Sequence, residues 1–291
     1  MVITRVGLVA KSRLDAAAGV LAELAGWLEA RNVATIFETE TAALAGLPPD
    51  RPTSSRDDLP RVSDLIVVLG GDGTLIGMGG RIAQAGVDIP ILGVNFGSLG
   101  FLTEITLDEL YPSLESVLAG TAQIDSRLLL RSQTLRGGST YADRLALNDV
   151  VITKGALSRI IDLSVEIGAR PVMRVRADGL IVATPTGSTA YNLAAGGPIL
   201  HPEVDAILLT PIAPHMLTNR PIVIPGGSRV RVRPAMDQYD EVFVTIDGQS
   251  GHPLEADDVI SIEGADTRLR LVRAPSRTYF DVLREKLKWN M

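Results

Sequence analysis

Four stretches of the chain bring groups that hold ligands or move protons to spacings that chemistry uses. The first is Gly70-Gly71-Asp72-Gly73-Thr74. One carboxylate, Asp72, stands among glycines. Bare backbone there can turn sharply and lie against a phosphate while the acid accepts a proton. The second, Asn95-Phe96-Gly97-Ser98-Leu99-Gly100-Phe101-Leu102, is another glycine-punctuated run. The third, Leu147-Asn148-Asp149-Val150, sets an amide beside a carboxylate and reads equally as a turn or as a grip on a sugar or base. The fourth runs from Ala177 to Ile199. It passes through Asp178-Gly179 and Thr184-Pro185-Thr186-Gly187-Ser188-Thr189 to Tyr191 and Gly196-Gly197. Its hydroxyls, small residues and one aromatic face converge on a strand end, where a planar group is able to approach.

These residues need elements to place them. Leu65 to Leu69 is a short apolar run rich in β-branched residues, which predicts a strand buried on both faces. Thr74 then opens a helix over Leu75 to Ala85. In open α/β sheets ligands sit at the carboxyl ends of strands, near helix N-termini whose free N–H groups favour phosphate. Gly-Gly-Asp-Gly is also ordinary turn chemistry, but the strand before it and the helix after it favour a phosphate site. No glycine follows Gly73 by three residues, and no Gly-x-x-x-x-Gly-Lys-Ser/Thr occurs, so neither the dinucleotide fingerprint nor a P-loop is present.

The rest of the first ~120 residues alternates strand and helix, which predicts an α/β domain. Strands are expected at Ile3 to Ala10, Val33 to Phe37 and Ile89 to Val94, and helices at Leu14 to Arg31 and after the capping pair Thr106–Glu109. Pro48 to Pro60 is a mixed-charge loop, read either as solvated surface or as a flap. From Gln123 the rhythm changes to short strands separated by turn residues, with Gly137-Gly138 a hairpin signal, and this predicts a β-sandwich. Arg229, Arg231 and Arg233 alternate with valines and are expected on an outward face. Thr278 to Trp289 closes the chain as an amphipathic helix, expected to return to the first domain.

At 291 residues the chain suits one large or two ordinary domains. A formal net charge of -6 argues against a nucleic-acid partner. The absence of cysteine leaves no disulfide or thiolate metal site and fits a reducing compartment. Only three histidines occur, far apart, so no protein-bound metal is expected. No signal peptide and no membrane span are expected, and the predicted location is cytoplasmic.

Gly70-Gly71-Asp72-Gly73-Thr74-Leu75, Asn95 to Leu102, Leu147-Asn148-Asp149, and Asp178-Gly179 with Thr184 to Pro198 occur in the order and spacing of the NAD kinase family, which the whole chain resembles down to Tyr279-Phe280-Asp281. Diacylglycerol-type lipid kinases carry a similar Gly-Gly-Asp-Gly; the Thr184 to Pro198 stretch is far more specific. The resemblance implies transfer of the ATP γ-phosphate to the 2′-hydroxyl of the adenosine ribose of NAD, with a divalent metal, Mg²⁺, held mostly by phosphate and water. It implies an N-terminal α/β domain, residues 1–122 with the helix of 274–291, a C-terminal β-sandwich, residues 123–273, a site between them, and a homo-oligomer, dimer or tetramer. Asp72 would be the catalytic acid/base, with Gly70, Gly71 and Thr74 in the phosphate loop and Gly73 beside the nucleotide. Asn148 and Asp149 would hold the NAD adenosine. Thr189, Ala190, Tyr191, Asn192, Leu193 and Ala194 would line the NAD pocket. Asp178, Ala213, Arg159, Arg176 and Gln249 match further binding positions, some reaching the site from a neighbouring subunit. A lipid kinase with the same loop and an NAD(P)-sensing module without turnover are the competing readings. The chain departs from the family at Gly77, where many members carry a basic residue and where Arg81 is the next basic side chain, and at Ala194, where a hydroxyl residue is common.

Overall fold

The computed structural model describes residues 2–48, 51–155, 160–216, 218–236 and 241–289. The chain divides into two compact units, Met1–Ser126 with Leu269–Met291, and Arg127–Arg268.

The first unit is built on a parallel sheet. Its elements in chain order are β1 (Arg5–Ala10), α1 (Ala17–Glu29), β2 (Ala34–Glu38), α2 (Thr39–Leu44), β3 (Thr53–Ser54), α3 (Leu59–Val62), β4 (Leu65–Gly70), α4 (Asp72–Ala85), β5 (Pro90–Asn95) and α5 (Leu110–Leu118). Pairing runs β3-β2-β1-β4-β5. Every residue of β4 and β5 is buried, as continuous apolar strands covered on both faces must be. The order reverses between β1 and β4, and the crevice at such a switch point is where α/β sheets take ligands. The Gly-Gly-Asp-Gly segment begins there.

Three differences from the sequence reading have local causes. Helix α4 starts at Asp72, not Leu75, because Thr74 N–H and Leu75 N–H already bond to Gly71 O. Helix α2 was not anticipated; Glu38 caps it by accepting from Thr41 N–H at 2.9 Å. Thr106 and Glu109 do pair, Glu109 Oε2 accepting from Thr106 N–H and hydroxyl at 2.9 Å, but they close a turn ahead of α5. The loop after Pro48 is tied down among its described residues: Arg56 reaches Glu38, and Asp57 accepts from Arg81.

The second unit is a β-sandwich. It comprises β6 (Ile124–Arg136, entering from the first unit), β7 (Ser139–Ala146), β8 (Asp149–Lys154), β9 (Ile161–Ile167), β10 (Arg170–Ala177), β11 (Gly179–Ala183), α6 (Tyr191–Ala194, preceded by a 3₁₀ turn over Thr186–Thr189), β12 (Ala206–Ile212), β13 (Ile222–Pro225), β14 (Val230–Ala235), β15 (Val242–Ile246), β16 (Ser250–Pro253) and β17 (Val259–Val272, leaving to the first unit after Arg268). One antiparallel sheet runs β13-β12-β11-β8-β15-β16. In the other, β10-β9-β14-β17 continue into β6 and β7. Leu130, Ile152, Val182, Val232 and Ile260 are fully buried together between them. β16 was missed because Gln249-Ser250-Gly251-His252-Pro253 reads as a turn. β17 runs unbroken through Gly264-Ala265-Asp266, a run that on its own reads as a break between two short strands. The valines of β14 are buried, while Arg229 and Arg233 turn outward to Glu263 and Glu166.

The chain returns to the first unit at Leu269. Arg270 and Leu271 pair parallel with Pro90 and Ile91. Helix α7 (Tyr279–Leu287) follows, opened by a capping box in which Thr278 and Asp281 bond reciprocally.

Candidate active site

Asp72 is the first residue of α4 and is half-buried. Its Oδ1 accepts from Leu102 N–H at 3.1 Å, Thr103 N–H at 2.9 Å and Thr103 hydroxyl at 2.9 Å. Among the described residues its Oδ2 accepts from Phe101 N–H alone, at 2.8 Å, which leaves a lone pair for another donor. The carboxylate therefore has one orientation. The turn that fixes it is organised by Asn95, whose amide donates to Ser98 O at 2.7 Å and Thr103 Oγ1 at 3.2 Å and accepts from Gly97 N–H. Gly100 is required by contact, since a Cβ there would stand 2.1 Å from Asp72 Oδ1.

The glycines before and after Asp72 act differently from the sequence expectation of a sharp turn. None of Gly70, Gly71 and Gly73 has a positive φ, and Gly71 is extended at φ -119. A Cβ on Gly71 or Gly73 would meet nothing within 4 Å, whereas one on Gly70 would press on Lys11 and Thr74. The fold itself makes no demand for glycine at 71 and 73. The open backbone at the start of α4 suits the approach of an anion. Arg81 turns back along α4, donating to Gly77 O at 2.8 Å and to Asp57 at 2.8 Å.

In the second unit the third and fourth stretches meet. Thr184 N–H donates to Asn148 O at 2.9 Å, and Thr184 hydroxyl to Leu147 O at 2.6 Å. Gly187 packs so close that a Cβ would sit 2.1 Å from Asn148 O. Asp247, which sequence reasoning missed, holds the start of β8. Its carboxylate accepts from Leu147, Asn148 and Asp149 N–H at 2.9, 2.7 and 3.0 Å, and its own backbone is left-handed at φ 52. The Asp247-Gly248 pair between two strand patterns was the available signal. Asp149 is buried, and burial, then the Asp247 charge, pushes its carboxyl up to about 7. Burial also raises Asp247, but three N–H donors favour its anion, so the proton of the pair belongs on Asp149.

Tyr191 is 46% exposed, Ala194 is exposed, and Thr189, Ala190 and Leu193 are half-buried. Asn192 differs: it is fully buried, donates to Ser188 O and Pro198 O, both at 3.0 Å, and accepts from Thr210 at 2.6 Å. Its amide frames the turn that carries Thr189 to Ala194. Gln249 follows Ile246, which pairs with Val150, so it shares the Asp149 end of the sheet.

Asp178 and Ala213 lie at the other end. Asp149 is opposite Ala183 while Thr153 is opposite Gly179, and Asp178 N–H bonds to Ile212 O. Five residues of strand, about 16 Å, separate the two ends. Asp178 pairs with Lys154 Nζ at 3.4 Å, Arg176 is exposed, and Ala213 takes a left-handed φ of 44. Arg159 lies outside the described residues. Among the described residues no group of three or more His, Cys, Asp or Glu is placed to hold a metal, and no helix is long and apolar enough to cross a membrane.

Residues 6–122 match the family model of the ATP-NAD kinase N-terminal domain, and residues 147–274 that of the ATP-NAD kinase C-terminal domain. The NAD kinase of Geotalea daltonii is 47% identical over 285 residues, covering 98% of each chain. That of Geobacter sulfurreducens is 48% identical with the same coverage. Among solved structures, yeast NADH kinase complexed with NADH superposes with a TM-score of 0.90 at 26% identity, over 99% of this chain and 88% of that one. An NAD kinase from Archaeoglobus fulgidus in complex with ATP gives 0.75 at 25% identity, over 97% and 99%.

Proposed function

The chain belongs to the NAD kinase family, and from that premise we propose that Asp72 is the catalytic carboxylate of an ATP-dependent phosphorylation of NAD. The observation that carries this reading is the locked carboxylate with a lone pair left on Oδ2, beside open backbone at a helix N-terminus. Oδ2 accepts the proton of the ribose 2′-hydroxyl as that oxygen forms a bond to the γ-phosphorus. The bond from the γ-phosphorus to the bridging oxygen breaks, and its electron pair leaves with ADP. Gly71 and Gly73 let phosphate oxygens approach the N–H groups of α4, which stabilise the charge as it moves. A bound Mg²⁺ supplies neutralisation of the triphosphate charge. The donor set fits an ion carried on the nucleotide: Asp72 Oδ1 already accepts three donors.

The second unit holds the NAD adenosine. Asn148 and Asp149 offer an amide and a carboxyl to the ribose and base, Tyr191 offers a stacking face, and Thr189, Ala190, Leu193 and Ala194 wall the pocket. Asp149 gains its negative charge, and with it acceptor strength, around pH 7. Gln249 serves the same end. Asp178, Arg176 and Ala213, about 16 Å along the strands, serve a site on a neighbouring copy, which supports a homo-oligomer. The same reading assigns the enzyme to the cytoplasm.

The experiment is NADP formation from NAD and ATP-Mg²⁺, with an NADH arm because a relative was solved with NADH. Asp72→Asn should lose on the order of 10³-fold or more in kcat while NAD still binds by calorimetry. Wild-type turnover of the Asn variant would remove Asp72 from the chemistry.

A further inference from the structure

The segment leading into α7 grips the residue that follows the Asp72-holding turn. Glu104 is 3% exposed. Its carboxylate accepts from Arg273 Nε at 2.5 Å and from Ala274 N–H at 2.8 Å. The other arm of Arg273 donates to Asp125 at 3.1 Å, and Arg277 donates to the Glu104 backbone carbonyl at 2.9 Å. Immediately before Glu104, Phe101, Leu102 and Thr103 give Asp72 its four hydrogen bonds. Immediately after it, Ile105 O accepts from Asn95 N–H at 2.8 Å. Lys286 of α7 lies 5.6 Å from the centre of the Phe101 ring.

A buried ion pair adds little net stability compared with an apolar replacement of the same shape. A forked guanidinium shared by two carboxylates does fix direction. Here the fixed object is one residue away from the donors of the reacting group. We propose that Arg273 and Glu104 are positioning residues for Asp72, acting through the Phe101–Thr103 turn and touching no substrate. The inference rests on Asp72 being the catalytic acid.

The test uses the full-length chain and follows kcat, KM for both substrates and the melting temperature. Glu104→Gln keeps the shape and removes the charge; it should lower kcat on the order of 10-fold, and Arg273→Met on the order of 10²-fold, the scale of a small misplacement of a reacting group. KM for NAD and ATP should stay within about twofold, because no binding group is lost. Arg273→Lys should recover part of the loss. In an Asp72→Asn background neither substitution should reduce the residual rate further, since the group they position has gone. Equal losses in both backgrounds, or kcat within twofold of wild type, would overturn the proposal. If Arg273→Met fails to fold, Glu104→Gln decides by the same criteria. Full activity of Asp72→Asn alone would instead sink the reading of Asp72, so the two failures are distinct.

Discussion

Alanine at position 100 is a one-carbon perturbation aimed at Asp72, the proposed catalytic carboxylate. The new Cβ would stand 2.1 Å from Asp72 Oδ1, 2.3 Å from Thr103 Oγ1 and 2.8 Å from Asp72 Cγ, with no backbone atom among the nearest neighbours. Comfortable carbon contacts need about 3.5 Å, so something moves by more than an ångström. The carboxylate is the softest neighbour, being the half-exposed end of a side chain. Swinging it away breaks the three hydrogen bonds on Oδ1. Each is charge-assisted and worth about 1.5–3 kcal/mol, but water reaches the displaced group and recovers much of this, leaving a net stability loss of about 1–3 kcal/mol. The catalytic loss is not recovered by water. A base shifted by an ångström or more and free to rotate should lower kcat by about 10²–10⁴-fold. Thermal melts and initial rates of NADP formation on the same preparation separate the two effects. Gly71→Ala is the control: nothing lies within 4 Å of its Cβ, so it should melt like wild type and raise KM for ATP. A Gly100→Ala enzyme with kcat within threefold of wild type would refute the reasoning, because the clash would have been absorbed without moving the acid.

The Asp149 carboxyl is held at about 7, against 3.8 in the open chain. The folded state keeps a proton that the unfolded state releases, so this group's stability is fully present below about pH 4 and is lost as pH rises through about 7, a total near 4 kcal/mol. Asp149→Asn should therefore match wild type near pH 4 and be the more stable protein at pH 8; parallel melting curves across that range would contradict the assignment. Asp247→Ala should cost about 2–4 kcal/mol by stranding three N–H groups at the start of β8, and should also raise KM for NAD, measured by titrating the substrate.

The parts of this molecule that were legible beforehand are those where pattern and chemistry coincide. β4 reads as a buried strand because Leu65 to Gly70 has no polar interruption, and Tyr279 to Leu287 reads as a helix because its apolar residues share one face. Asp72 stood out because a lone acid among glycines is unusual. Of the two things those glycines permit, a sharp turn and the close approach of a ligand, only the second has room here: Gly71 is extended, and open space surrounds the Cβ position at Gly71 and Gly73. Asp247 and Glu104 were invisible for a different reason. Their partners lie 98 to 100 and 169 to 170 residues away, and no local spacing encodes such a meeting. Asn192 shows the converse limit: a motif places a residue near a site without saying which way its side chain turns.

The left-handed backbone at Ala213 carries a consequence for evolution in the laboratory. An L-residue at φ 44 costs about 1–2 kcal/mol where glycine would cost almost nothing. Random libraries selected only for heat resistance should drift toward glycine there, and those selected for turnover should resist the change if the methyl group meets a nicotinamide nucleotide. The codon at that position would then report which of the two pressures a lineage has been under.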